Sequence, residues 1–134
     1  MLKLFNIASS AMDAQQKRLT AVASNLANAD SVSSNAQTGY RARRVVFELN
    51  PIGSDPNAVG VQATKVVEDD RPMKAIYQPG NPLADDKGYV YAPNVDPVEE
   101  MADMMSANRS YQMNADMMNA AKQMAQKAIQ LGNE

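Results

Sequence analysis

Between Phe5 and Ala29 the chain carries two columns of seven-residue period, Phe5, Met12, Leu19, Leu26 and Ala8, Gln15, Val22, Ala29. Steps between the columns alternate 3 and 4, which places these side chains along one seam of a coiled-coil-like helix. At about 1.5 Å per residue the seam is roughly 40 Å long. Gln15 is its one polar intrusion, of the kind that fixes register at some cost in stability.

A longer partner, roughly 50 Å at the same rise per residue, stands at the other end of the chain. Asp96 is a good N-cap, Pro97 suits the first helical position, and Glu99 is spaced to reach back to the cap's backbone N–H. Beyond this start Met104, Tyr111, Met118 and Ala125 form a seven-residue column. Met101, Asn108, Ala115, Lys122 and Ile129 flank it on one side, and Met117, Met124 and Leu131 on the other. The two terminal helices are expected to pack as an antiparallel, coiled-coil-like pair. Seven methionines between Met101 and Met124 occupy more than one face, so the apolar width exceeds what a single partner helix covers.

Between the helices the pattern changes. "NADSVSSNAQTG" lacks periodicity and is rich in residues that satisfy their own backbone, which ends the first helix near Ala29. Strand candidates follow in "YRARRVVFEL", "VGVQATKVVE", "MKAIYQ" and "GYVYA", separated by turn chemistry in "NPIGSDPNA", "QPGNP" and "DDKG". The fold class is mainly α with a small antiparallel β insert. Its parts are an N-terminal helix over 1–30, a linker and β-rich insert over 31–95, and a C-terminal helix over 96–134, all in one structural unit.

Composition removes most catalytic readings. The 134 residues include no His, no Cys and no Trp, so a catalytic imidazole, a thiol nucleophile, a disulfide framework and a His/Cys zinc site are excluded. No catalytic, cofactor or metal site is expected. With a net charge of -2 the chain offers no general attraction to nucleic acid. No apolar run reaches the roughly 18 residues that span a bilayer, and Asn6 and Asp13 interrupt the N-terminal stretch before it resembles a secretory signal. Neither a small-molecule substrate nor direct membrane insertion is expected.

The remaining local signals have bland readings. Asp69-Asp70, Asp85-Asp86 and Glu99-Glu100 are adjacent pairs whose side chains diverge, which suits solvated turns and a capped helix start. "RARR" alternates Arg41 and Arg43 against Ala42 and Arg44, as in a protected edge strand or an ion pair across an interface. "NRS" at Asn108 to Ser110 lies mid-helix, where a glycosylation triplet has no use. The methionine stripe is read as helix packing and not as copper binding, and the first helix has too few cations for a membrane-surface helix.

Taken together, "ASNLANADS" followed by "TGYRARRVVFE", and "QPGNPLADDKGYVYAPNVDPVEEM" followed by "SANRSYQMNADMMNAAKQM", resemble the axial proteins of the bacterial flagellum, in particular the proximal basal-body rod subunits. Asn25, Leu26, Ala27, Asn28, Gly39, Tyr40, Arg41, Asn94, Asp96, Arg109 and Tyr111 carry the resemblance. "DSVSSNAQ" separates the Asn-Ala pair from Thr-Gly-Tyr, a departure from many axial relatives that leaves the path of Asp30 to Thr38 unassigned. The resemblance implies a structural subunit of the rod, the drive shaft between membrane ring and hook. It also implies export without a cleaved signal by the flagellar type III apparatus, folding on assembly, and a place in the rod where it crosses the periplasm. Implied partners are further copies of itself, other rod proteins, proteins of the ring–rod junction and the export apparatus. Phe5, Ala8, Met12, Leu19, Val22, Leu26, Met101, Met104, Tyr111, Met118, Met124 and Ile129 are the expected packing and subunit-interface residues. Arg41, Arg43 and Arg44 are candidates for lateral contacts. A soluble helical adaptor or export regulator shares the terminal seams, and a sibling rod subunit shares the motifs.

Overall fold

The computed structural model describes residues 2–54 and 57–132. The middle of the "NPIGSDPNA" turn, at 55–56, and the extreme ends of the terminal segments, at 1 and 133–134, lie outside the described residues. Six elements follow in order: α1 (Leu2–Ala27), β1 (Arg43–Pro51), β2 (Val59–Glu68), β3 (Lys74–Tyr77), β4 (Tyr89–Ala92) and α2 (Pro97–Leu131).

Helices α1 and α2 pack antiparallel, with Arg18 facing Asp103 and Asn25 facing Glu100. Local chemistry sets their limits. Asn28 stops α1 by giving both its backbone N–H (3.1 Å) and its side-chain amide (2.8 Å) to the Ser24 carbonyl. At the start of α2, Asp96 accepts from the Val98 N–H at 2.9 Å, and Pro97 occupies the first turn, where a missing N–H costs nothing. Glu99 does not close the expected capping box. It turns instead to Arg71, at 3.2 Å, and Arg44, at 3.6 Å, where two guanidinium groups outcompete one backbone N–H.

The β segment is two separate hairpins and not one element. Strands β1 and β2 pair from Arg43↔Glu68 to Pro51↔Val59, with a bulge between Val46 and Phe47. Strands β3 and β4 pair from Lys74↔Ala92 to Tyr77↔Tyr89. The first hairpin lies along α1 rather than away from it: Ser10 Oγ accepts from the Val61 N–H at 3.2 Å. A Cβ on Gly60 would stand only 2.6 Å from that Ser10 oxygen and 2.7 Å from Ile52 Cδ1, so glycine is what lets strand and helix come this close. The segment after α1 finds its place through Ser33, which exchanges two 2.9 Å backbone bonds with Tyr91 in a single-residue bridge beside β4.

Among the described residues the buried apolar set is mostly alanine: Ala8, Ala14, Ala21, Ala42, Ala58, Ala92, Ala107 and Ala121, joined by Val22, Val90 and Val95. Phe5, Met12, Leu19, Leu26, Met104, Tyr111 and Met118 are only half-buried. Small side chains at the contact line bring the helix backbones close, while the larger ones sit at its margins and stay partly wet. On α1 a second stripe, Ala14, Arg18, Ala21 and Asn25, is packed beside the first. The helix is thereby covered from two sides, by α2 and by the first hairpin.

Candidate assembly surfaces and the polar junction

Where α1 ends, β1 begins and α2 starts, polar side chains do the joining. Asn25 is fully buried at the end of α1. Its Oδ1 accepts from the Arg43 N–H at 2.8 Å and from the Tyr40 hydroxyl at 2.9 Å. Its Nδ2 donates to the Arg43 carbonyl at 2.9 Å and to Glu100 Oε2 at 3.0 Å. The amide thus stands beside Arg43 as a neighbouring strand would, pairing both backbone groups. Since Tyr40 has one hydroxyl proton and gives it to Asn25, Ser24 must donate in the 3.0 Å contact between the Ser24 and Tyr40 hydroxyls.

Glu100 is fully buried, and its carboxylate is held between the Asn25 amide and the Arg44 guanidinium. A buried charge is tolerated only with such a partner, and removing one member leaves the other stranded. Arg44 also faces Asp69 and Glu99, each at 3.6 Å. Behind it, Asn94 repeats the device seen at Asn25: Oδ1 accepts from the Ala42 N–H at 2.8 Å, while Nδ2 donates to the Asp69 and Arg71 carbonyls at 3.0 and 2.8 Å. Arg41 donates to the same two carbonyls, at 3.2 and 3.1 Å. Asp69 binds Arg71 through its N–H (3.0 Å), Nε (2.9 Å) and a terminal nitrogen (2.8 Å). Those hydrogen bonds hold the Asp69 carboxyl below its ordinary pKa and push the Arg71 guanidinium up. In the turn before β4, Asp85 accepts from the Tyr89 and Lys87 N–H groups, each at 2.9 Å, and from the Tyr91 hydroxyl at 3.0 Å. Those bonds, the Tyr89 N–H first, lower the Asp85 pKa, and the Tyr91 phenol is raised by giving its proton to Asp85.

Several expected residues fall into this junction. Asn25, Tyr40, Arg41, Arg44 and Asn94 are brought together, with Asp96 capping the adjacent helix. Gly39 is close by in the chain and passes tightly against Ser33, since a Cβ there would lie 2.6 Å from its hydroxyl. Arg41 and Arg44 are engaged within the chain. Arg43 alone of the three points outward, its guanidinium 5.5 Å from the centre of the Tyr40 ring. Arg109 and Ala27 are exposed.

On α2 the packed residues are Glu100, Met104, Ala107, Tyr111, Asn114, Met118, Ala121 and Ala125, alternating steps of 4 and 3. One column of this seam is the expected one. Its companion is Glu100, Ala107, Asn114 and Ala121, and not either expected flank. Met101, Met124 and Ile129 are 56%, 55% and 65% exposed, so more than half of each is left uncovered by the described chain. A second line of exposed apolar residues runs along the outer side as Met113, Met117, Ala120, Met124 and Leu131, spaced 4, 3, 4 and 7. After Ala121 only Ala125 is even half-buried, so the end of α2 projects beyond its cover. No helix among the described residues is long and apolar enough to cross a membrane.

Comparison with known proteins agrees with this division into two terminal helical regions. Residues 5–36 match the family described as "Flagella basal body rod protein", and residues 86–131 match "Flagellar basal body rod FlgEFG protein C-terminal". The flagellar basal-body rod protein FlgC of Escherichia coli O6:H1 is 51% identical, with 98% of both chains covered. FlgC of Salmonella typhimurium is 49% identical over the same share, and FlgC of Bacillus subtilis 37% identical over 95% of each. Full-length similarity at this level, with both helical regions matched, establishes that the chain belongs to the flagellar basal-body rod family and groups with its FlgC members.

Proposed function

We propose that this chain works as a structural subunit of the flagellar basal-body rod, transmitting torque by burying the outer face of α2 against neighbouring subunits. The observation that carries the reading is the second apolar line on α2. Met113, Met117, Ala120, Met124 and Leu131 keep helical-seam spacing, yet no other part of the described chain covers them. Covering the three methionines and the leucine contributes on the order of 5 kcal/mol, enough to favour association strongly once repeated along a shaft.

Load-bearing follows from the same geometry. The polar junction ties α1, β1 and α2 together at one end, so a twisting force on one helix is passed to the other two elements. Packed side chains cannot shear without losing contact area, so many parallel seams resist torsion. Export as an unfolded chain and completion of the helices on assembly fit a core made mainly of alanine, whose burial alone stabilises little. Its partners on this reading are copies of itself, other rod subunits, ring–rod junction proteins and the export apparatus, in a rod crossing the periplasm. The work is mechanical and not catalytic.

Met124→Asp tests the reading. The substitution falls on an exposed position, so the monomer's circular dichroism and urea midpoint should be unchanged while incorporation into basal bodies and motility are lost. Normal motility in this variant would refute the proposal.

A further inference from the structure

Between α1 and the first hairpin lies a groove of about 470 Å³. Ala21, Val45 and Ala63 contribute apolar surface to it, and Lys17, Arg43 and Lys65 contribute three cations. Among the described residues no carboxylate lines it. Lys17 is partly engaged by Asp13, at 2.9 Å on the same helix, and Arg43 lies against the Tyr40 ring, so a net positive rim around an apolar centre remains.

The complementary shape is present on the same chain. Among the described residues strands β3 and β4 come close to neither helix nor the first hairpin; β4 is instead paired with Ser33, and the second hairpin's connecting turn is left at the surface. That turn is held rigid from within: Asn81 accepts from the Leu83 N–H at 2.9 Å, and Asp85 organises the return to β4. Leu83 is 44% exposed on that turn, and Asp86 beside it is exposed. An apolar knob adjacent to an acid is what the basic-rimmed groove would accept.

We propose that the groove is the receptor for the Leu83–Asp86 turn of a second copy of this chain, with Leu83 on Ala21, Val45 and Ala63, and Asp86 among Lys17, Arg43 and Lys65. Groove and turn are different surfaces of one molecule, so the contact is head-to-tail, and such contacts propagate into a ring or a helical array. This inference rests on self-association of the chain, and it names one contact within that assembly.

The chain has no cysteine, which makes directed cross-linking clean. A full-length variant with Lys65→Cys is mixed with one carrying Asp86→Cys and oxidised at a concentration where sedimentation velocity shows association. A mixture of Lys65→Cys with Gln123→Cys, whose residue is exposed on α2, serves as control. The proposal expects mixed disulfide from the first pair at about ten times the control yield. It further expects Lys65→Glu to reduce association about tenfold and Lys65→Glu with Asp86→Lys in one chain to restore it, because the charges are exchanged on both sides. Association with cross-linking no better than control overturns the contact while leaving self-assembly intact. Absence of association at any accessible concentration overturns both.

Discussion

Replacing Asn25 with Asp changes one atom type and should be among the most damaging single substitutions in this protein. The native amide is fully buried and makes four hydrogen bonds, of which Asp keeps the two it accepts, from the Arg43 N–H and the Tyr40 hydroxyl. The two it donates, to the Arg43 carbonyl at 2.9 Å and Glu100 Oε2 at 3.0 Å, are lost. Each buried acceptor left without a donor costs about 1–3 kcal/mol, so the expected loss is about 3–5 kcal/mol before repulsion between adjacent carboxylates is added. That is about a fifth or more of the stability of a typical small domain, about 5–15 kcal/mol. Urea unfolding followed by far-UV circular dichroism reads this directly. The pH dependence identifies the cause: repulsion raises the folded-state pKa of one carboxyl, so the deficit should be full at neutral pH. It should shrink as pH falls through that raised value toward the ordinary carboxylate range near pH 4, when a shared proton restores a donor. Asn25→Ala sets no second carboxylate beside Glu100 and should show a smaller recovery. A loss below about 1 kcal/mol for Asn25→Asp at neutral pH, or a deficit indifferent to pH, would refute the assigned role of the amide.

Three further outcomes follow from the geometry. Gln15 has a buried Oε1 with no hydrogen-bond partner among the described residues, so Gln15→Met should raise stability in urea unfolding by about 1 kcal/mol, and a loss would place an unseen donor there. Gly60→Ala forces a Cβ to within 2.6 Å of Ser10 Oγ and 2.7 Å of Ile52 Cδ1, and should cost about 1–3 kcal/mol while speeding amide exchange in β2. Asp69 has a folded-state pKa below its ordinary 3.8, so its contribution is complete above that value and fades as pH falls through the lowered one. Asp69→Asn should therefore be less stable than the native chain at neutral pH, with the gap closing in acid. A gap that widened in acid would contradict the Arg71 pairing.

The sequence made the long elements legible because their signals are periodic and local. The 3–4 spacing of Phe5 to Leu26 and the cap at Asp96 placed both helices, and four alternating runs placed four strands. What stayed hidden lies at the junction. Glu100 reads as a solvated acid at a helix start, and nothing local reveals that Arg44 and Asn25, 56 and 75 residues away, enclose its carboxylate. The second packing column of α2 was equally silent, since Glu100, Ala107, Asn114 and Ala121 carry almost no hydrophobic signal. The eye goes instead to the methionines, whose size marks them for burial, and Met101 and Met124 turn out to be more than half exposed. Their spacing suits a packing surface, and among the described residues little covers them. Arg41 and Arg44 carried a usable hint, because the alternation in "RARR" sets them on opposite faces, and both are engaged in the chain.

Hydrogen exchange measured by mass spectrometry on the dilute monomer and on purified basal bodies bears most directly on the claim that α2 is completed by neighbours. Amides of residues 113–131 should exchange rapidly in the monomer and become protected by at least about a hundredfold on assembly, while those around Asn25 and Glu100 are already slow in both states. Equal protection of residues 113–131 in monomer and rod would mean that the outer face of α2 needs no partner, and the account would fail.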